Sequence, residues 1–81
     1  MTAWITGANG FIGRYLAREL ADAGQPVHGV GHGALEDSER QRLGMQSWLN
    51  GEIDAANLNT LAVRHGSPSI IFHLAGARIS R

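Results

Sequence analysis

No cysteine occurs in the 81 residues, so disulfides, thiolate nucleophiles and zinc–cysteine sites are all excluded. Lysine is absent as well: the seven basic residues are all arginine, set against seven acids for a formal net charge of zero. That balance gives no basic surface for nucleic acid or for an acidic membrane. The sequence shows neither a signal-type N-terminus nor a long apolar span, and the expectation is a soluble cytoplasmic protein with no membrane partner. At 17% charged and 43% hydrophobic, the composition is that of a globular chain slightly poor in charge.

What is present is a regular alternation of strand and helix. Ala3-Trp-Ile-Thr6 is a short apolar run that predicts a first strand over residues 3–7. Phe11 to Ala23 predicts an amphipathic helix, with Phe11, Ile12, Tyr15, Leu16, Leu20 and Ala23 as its apolar face and Gly24 as its stop. Val27 to Gly31 follows as a second strand, although His28 and Gly29 are poor strand formers. Ala34 to Leu43 is polar, a short exposed helix or an ordered loop, and Gln46 to Leu49 reads as a third strand. Asp54 is placed to cap a helix over Ala55 to His65, with Leu58, Leu61 and Ala62 inward and Gly66 closing it. Ser69 to Leu74 is a fourth strand, apolar enough to be buried on both faces. Right-handed crossovers then give an α/β fold, a partial Rossmann-like doubly wound parallel sheet of strand order 3-2-1-4. A chain of this size forms one small domain and buries only about 60–65% of its unfolded surface, so marginal stability is expected.

The segment Thr6-Gly-Ala-Asn-Gly-Phe-Ile-Gly13 sits between the first strand and the first helix, with glycines at 7, 10 and 13. In a strand–turn–helix unit each glycine has its own task. Gly7 permits a tight exit from the strand, Gly10 leaves room for a pyrophosphate to approach the backbone, and Gly13 lets the helix pack closely. The free N–H groups and positive dipole end around Phe11 and Ile12 would then face phosphates. The alternative is a glycine-rich turn with no ligand. The P-loop lysine and hydroxyl residue are missing, which disfavours nucleoside triphosphate hydrolysis. His28, His32, His65 and His73 show no metal-ligand spacing, and no metal site is expected.

TGANGFIG resembles the TGxxGxxG cofactor motif of the extended short-chain dehydrogenase/reductases, the group of NAD(P)-dependent nucleotide-sugar epimerases and dehydratases. Asn50-Gly-Glu-Ile53 resembles the family's Gly-Asp-Ile/Leu segment, and Phe72-His-Leu-Ala-Gly76 resembles its fourth-strand ending, His-Leu-Ala-Ala. The resemblance spans essentially the whole chain. It implies NAD or NADP as cofactor, with Gly7, Asn9, Gly10, Phe11 and Ile12 at the phosphates and Gly13 completing the motif. His32 and Gly33 would lie near the ribose, Glu52 and Ile53 at the adenine, and Leu74, Ala75 and Gly76 along the middle of the cofactor. His73 fits the family's structural strand histidine.

One departure bears on the cofactor. The family usually has an acid at the position of Gly31, where it binds the adenosine ribose hydroxyls. Without it the reason to exclude a 2′-phosphate disappears, and His32, Arg40 or Arg42 could supply positive charge. The other reading makes His32 a loop residue and both arginines part of a solvated helix face. NAD and NADP both stay open.

The family's chemistry implies a tyrosine acid/base assisted by a lysine four residues later. A phenol with an ordinary pKa of about 10 needs such a cation to act near neutrality. The single tyrosine, Tyr15, is followed four residues on by Glu19, and there is no lysine, so Tyr15 is expected to face the core and no catalytic residue is assigned. The expectation is an N-terminal NAD(P)-binding segment, residues 1–81, cut before the catalytic and substrate-binding parts and inactive alone. The alternatives are a non-catalytic dinucleotide-binding or sensing module, or an inactive fragment. The uncharged Ile70-Ile71-Phe72 edge is an expected site of self-association or aggregation.

Overall fold

A computed structural model describes residues 2–74; Ala75 and Gly76, expected along the cofactor, lie outside them. The element order is β1 (Ala3–Thr6), α1 (Phe11–Asp22), β2 (Val27–Gly31), α2 (Asp37–Arg42), β3 (Ser47–Asn50), α3 (Ala55–His65) and β4 (Ile70–His73). All pairings are parallel, and the strand order is 3-2-1-4, as expected from the sequence.

That order dictates where the helices lie. The chain steps outward from β1 to β2 to β3 and then returns past both to β4, so right-handed crossovers put α3 on the face opposite α1. The core divides accordingly. Ile5, Ala8, Ala17, Val27, Leu43 and Met45 are buried on the α1 side, while Trp4, Val30 and Leu61 are buried on the α3 side. Trp4 and Ile5, adjacent on β1, and Val27 and Val30, three apart on β2, fall in opposite clusters, as the two-residue period of a strand requires.

Glycine at 29 and 31, which weakens β2 by propensity, is explained by what crosses it. A Cβ on Gly29 would stand 2.5 Å from the Met45 sulfur and 3.0 Å from the Trp48 ring, and one on Gly31 2.9 Å from the same ring. The strand gives up its own side chains so that Met45 and Trp48 can cover that face.

Two expectations about burial are corrected. The inward stripe of α1 is Gly13, Leu16, Ala17 and Leu20, whereas Phe11, Ile12 and Tyr15 are 90%, 65% and 67% exposed, and Ala23 is also exposed. The small residues Gly13 and Ala17 set the helix rotation. Phe11 and Tyr15 lie two residues to either side of Gly13 and so point away from the sheet on a helix turning about 100° per residue. Tyr15 is therefore a surface residue. The second correction concerns β4: Ile70 and Ile71 are 39% and 47% exposed, because β4 is the sheet edge and only Phe72 and Leu74 pack against the core cluster.

The helix starts differ in charge. Asp54 caps α3, its carboxylate accepting from the Asn57 amide at 2.8 Å. Asp37 and Glu39 occupy the first turn of α2. α1 has neither a side-chain cap nor a first-turn acid. Glu39 also ties α2 to α1, accepting from Arg14 and Arg42 at 2.5 Å each, and these partners, Arg42 first, hold its carboxyl below the ordinary value.

Candidate cofactor site

The glycine turn is built by three close approaches. Gly7 has φ of 73°, in the region that disfavours a side chain, and its amide donates to the Val30 carbonyl at 2.8 Å. The Gly10 amide donates back to the Gly7 carbonyl at 3.0 Å, closing the turn. Gly13 sits directly over it: a Cβ there would collide with the Gly7 carbonyl oxygen and lie 2.6 Å from the Ala8 Cα. At Gly10 an added Cβ would meet only the Gly7 oxygen, at 3.3 Å. The first and third glycines are thus required by the fold itself, while a side chain at the middle one asks the Gly7 carbonyl to give by a few tenths of an ångström.

The first intrahelical bond of α1 runs from the Arg14 amide to the Gly10 carbonyl at 2.9 Å. The amides of Phe11, Ile12 and Gly13 precede it and carry the partial positive charge of the helix end. They open onto a hollow of about 280 Å³ lined by Gly7, Gly10, Phe11, Ile12, Gly13 and Leu74. Strand order reverses between β1 and β4, and the hollow lies at the C-terminal ends of those two strands, where doubly wound sheets bind ligands. Thr6 and β4 hold the two lips together. The Leu74 amide donates to the Thr6 hydroxyl at 3.0 Å, and that hydroxyl is 2.7 Å from His73 Nδ1. His73 thus joins two strands, in keeping with a structural part.

A second group lies where β2 and β3 end. Asn9 leaves the glycine turn sideways, its Nδ2 donating to the His32 carbonyl at 2.5 Å. The Gly33 amide donates to Asn50 Oδ1 at 2.9 Å, and the Gly33 carbonyl accepts from the Trp48 indole at 3.0 Å. His32 Nε2 is 3.7 Å from Glu52 Oε1. Asn9, His32, Gly33 and Glu52 therefore come together, whereas the Ile53 side chain packs with Trp4, Val30 and Leu61. Sequence reasoning missed Trp48 and Asn50. Their spacing of two places them on one face of β3, and Trp48 is the residue that crosses the glycines of β2.

Arg40 and Arg42, considered as phosphate partners, point elsewhere. Arg40 donates to the carbonyls of Met45 and Gln46, which lead into β3, and Arg42 is bound to Glu39. Among the described residues no cluster of His, Cys, Asp or Glu is arranged to hold a metal, and no helix is long and apolar enough to cross a membrane.

Sheet order and glycine turn together define a partial Rossmann-like fold with its crevice at the switch point. The model of the NAD dependent epimerase/dehydratase family matches residues 3–81, and the chain belongs to that family. Membership implies a nicotinamide dinucleotide cofactor. A search of the curated proteins finds no match.

Proposed function

We propose that the chain is the NAD(P)-binding segment of a nucleotide-sugar epimerase, dehydratase or reductase, and that it holds the adenosine and pyrophosphate of the cofactor. One observation carries this reading: among the helices of the described residues, α1 alone has no side-chain cap and no first-turn acid, and its N-terminus faces the hollow. A pyrophosphate there would accept from the amides of Phe11 and Ile12. Gly7, Gly10 and Gly13 shape the cradle, and Leu74 would flank the middle of the cofactor. His32 and Gly33 would lie by the ribose, and Glu52 with the backbone of Ile53 by the adenine.

The sequence holds no lysine, so the tyrosine–lysine pair of the family's chemistry does not form within these 81 residues. The same observation supports a second reading, a non-catalytic dinucleotide-binding module acting in the cytoplasm. The mass of the native gene product in its source cells separates the two: a product several times heavier than 8.7 kDa supports the enzyme, and a stable 8.7 kDa product supports the module.

Titration with NAD, followed by calorimetry, tests the cradle. Gly10→Val should abolish binding while leaving the fold intact, because its side chain would extend into the space assigned to the pyrophosphate. Unchanged affinity in a folded Gly10→Val chain refutes the placement.

A further inference from the structure

A second hollow, of about 360 Å³, opens where the end of α2 meets the outer side of α1. It is lined by Phe11, Arg14, Tyr15 and Arg18 of α1 and by Arg42 and Leu43 at the end of α2, and it shares only Phe11 with the cofactor hollow. Leu43 is buried and gives an apolar floor, while Phe11 and Tyr15, four residues apart on one helix face, stand exposed beside it. A lone exposed ring is ordinary on a protein surface. Here two rings and three guanidinium groups adjoin one another over a buried leucine, and aromatic residues and arginine are the types enriched where proteins meet.

The arginines are held in place but not used up. Arg14 donates through Nε to the Asn9 carbonyl and through Nη1 to Glu39. Arg18 donates through Nε to Asp22 and through Nη1 to the Arg42 carbonyl. Arg42 grips Glu39 with Nε and Nη2. One terminal nitrogen of each, Nη2 of Arg14 and Arg18 and Nη1 of Arg42, has no bond among the described residues. The ties from Arg14 to Glu39 and from Arg18 to the Arg42 carbonyl also fix α1 and α2 relative to each other. No acid lines the hollow, and the three cations at its wall exceed the two carboxylates, Glu39 and Asp22, that hold them. Pre-oriented guanidinium groups suit carboxylates.

We propose that this groove docks an acidic segment of a partner protein. Its carboxylates would accept from the spare nitrogens of Arg14, Arg18 and Arg42, and an apolar side chain would cover Leu43 beside Phe11 and Tyr15. A second copy of the chain is a poorer occupant, because a twofold contact through this face would set arginines against arginines. The apolar floor favours a segment that brings an apolar side chain over a bare anion.

Short fluorescein-labelled peptides test the groove by anisotropy at neutral pH and low ionic strength, with amide chemical shifts of the chain locating the contact. A peptide of alternating glutamate and leucine should bind saturably, at least about tenfold tighter than versions with lysine for glutamate or serine for leucine. Added salt should weaken it. The amides of Tyr15, Arg18, Arg42 and Leu43 should move. Tyr15→Ser and Arg18→Glu should each weaken binding about tenfold or more in chains that melt like the native one. Absence of saturable binding, equal binding of the lysine peptide, shifts confined to other surfaces, or full affinity in both folded variants overturns the proposal. Self-association that Tyr15→Ser abolishes would make the occupant a second copy and overturn it as well.

Discussion

Gly13→Ala adds one methyl group at the tightest point of the fold. The new Cβ would overlap the Gly7 carbonyl oxygen and lie 2.6 Å from the Ala8 Cα and 3.0 Å from its carbonyl carbon. Carbon pairs rest at about 3.5–4.0 Å, so α1 must retreat from the turn by roughly 1 Å. All three obstacles are backbone, and no rotamer change can relieve them. The retreat also draws Leu16, Ala17 and Leu20 off Ile5 and Val27. Overpacking of this kind costs about 3 kcal/mol at the upper end of the usual range. Alanine returns about 1 kcal/mol through its better helix propensity, leaving a net loss of roughly 2 kcal/mol. At about 0.05–0.15 kcal/mol per residue, an 81-residue domain has only about 4–12 kcal/mol to lose. The melting temperature should fall by about 8–16 °C, at about 4–8 °C per kcal/mol for this size. Thermal melts followed by circular dichroism measure it, with Gly10→Ala as the control, since its Cβ meets only one atom at 3.3 Å. A Gly13→Ala chain that melts within experimental error of the native one, or above it, refutes the packing argument.

Three more predictions follow from other parts of the molecule. His28 is buried, hydrogen-bonded through Nδ1 to Ser47 at 2.7 Å and stacked on His65 at 4.1 Å; burial, and then His65, hold its imidazole below the ordinary 6.5. The unfolded chain takes up that proton first, so stability should be full above about pH 6.5 and fall as pH drops from there toward the folded-state value. Melts at stepped pH should show this slope in the native chain and a flatter one in His28→Gln; identical slopes reject the assignment. Asp54→Ala removes the cap of α3 and should cost about 1 kcal/mol by urea unfolding, a change near zero showing the cap to be dispensable. Ile71→Lys places a charge on the exposed β4 edge and should reduce any concentration-dependent association in sedimentation, whereas unchanged association would move the contact off that edge.

The fold was legible because its signals are local. β1 and β4 are short, mainly apolar runs, and the ends of α1 and α3 are marked by Gly24, Asp54 and Gly66 within a few residues of the apolar pattern. Helix rotation was not legible in the same way. Periodicity grouped Phe11, Ile12 and Tyr15 with Leu16 and Leu20 because all are apolar or aromatic, but the small pair Gly13 and Ala17 decides which side can approach the sheet. A reading weighted by contact distance, and not by hydrophobicity alone, would have turned the helix correctly. β4 was misread for a related reason: an apolar run reports what a strand could bury, and its position at the sheet edge decides what it does bury.

The same division runs through the site. The glycine turn is confined to seven consecutive residues, Gly7 to Gly13, and the tight exit at Gly7 and the close packing at Gly13 could be anticipated from them. The group at the ends of β2 and β3 is assembled from Asn9, His32, Gly33, Trp48 and Asn50, joined by hydrogen bonds that span 23, 15 and 17 residues. No local pattern announces such ties, because they depend on the register that sets Gly31 beside Asn50 and Gly29 beside Trp48. Read along the chain, Gly31 is a missing acid and an argument for tolerance of a 2′-phosphate. Read across the sheet, the position is occupied by the carboxamide of Asn9 against the ring of Trp48. An acid placed there by Gly31→Asp would therefore displace Asn9, cut its bond to His32 and loosen the hold of the glycine turn on β2.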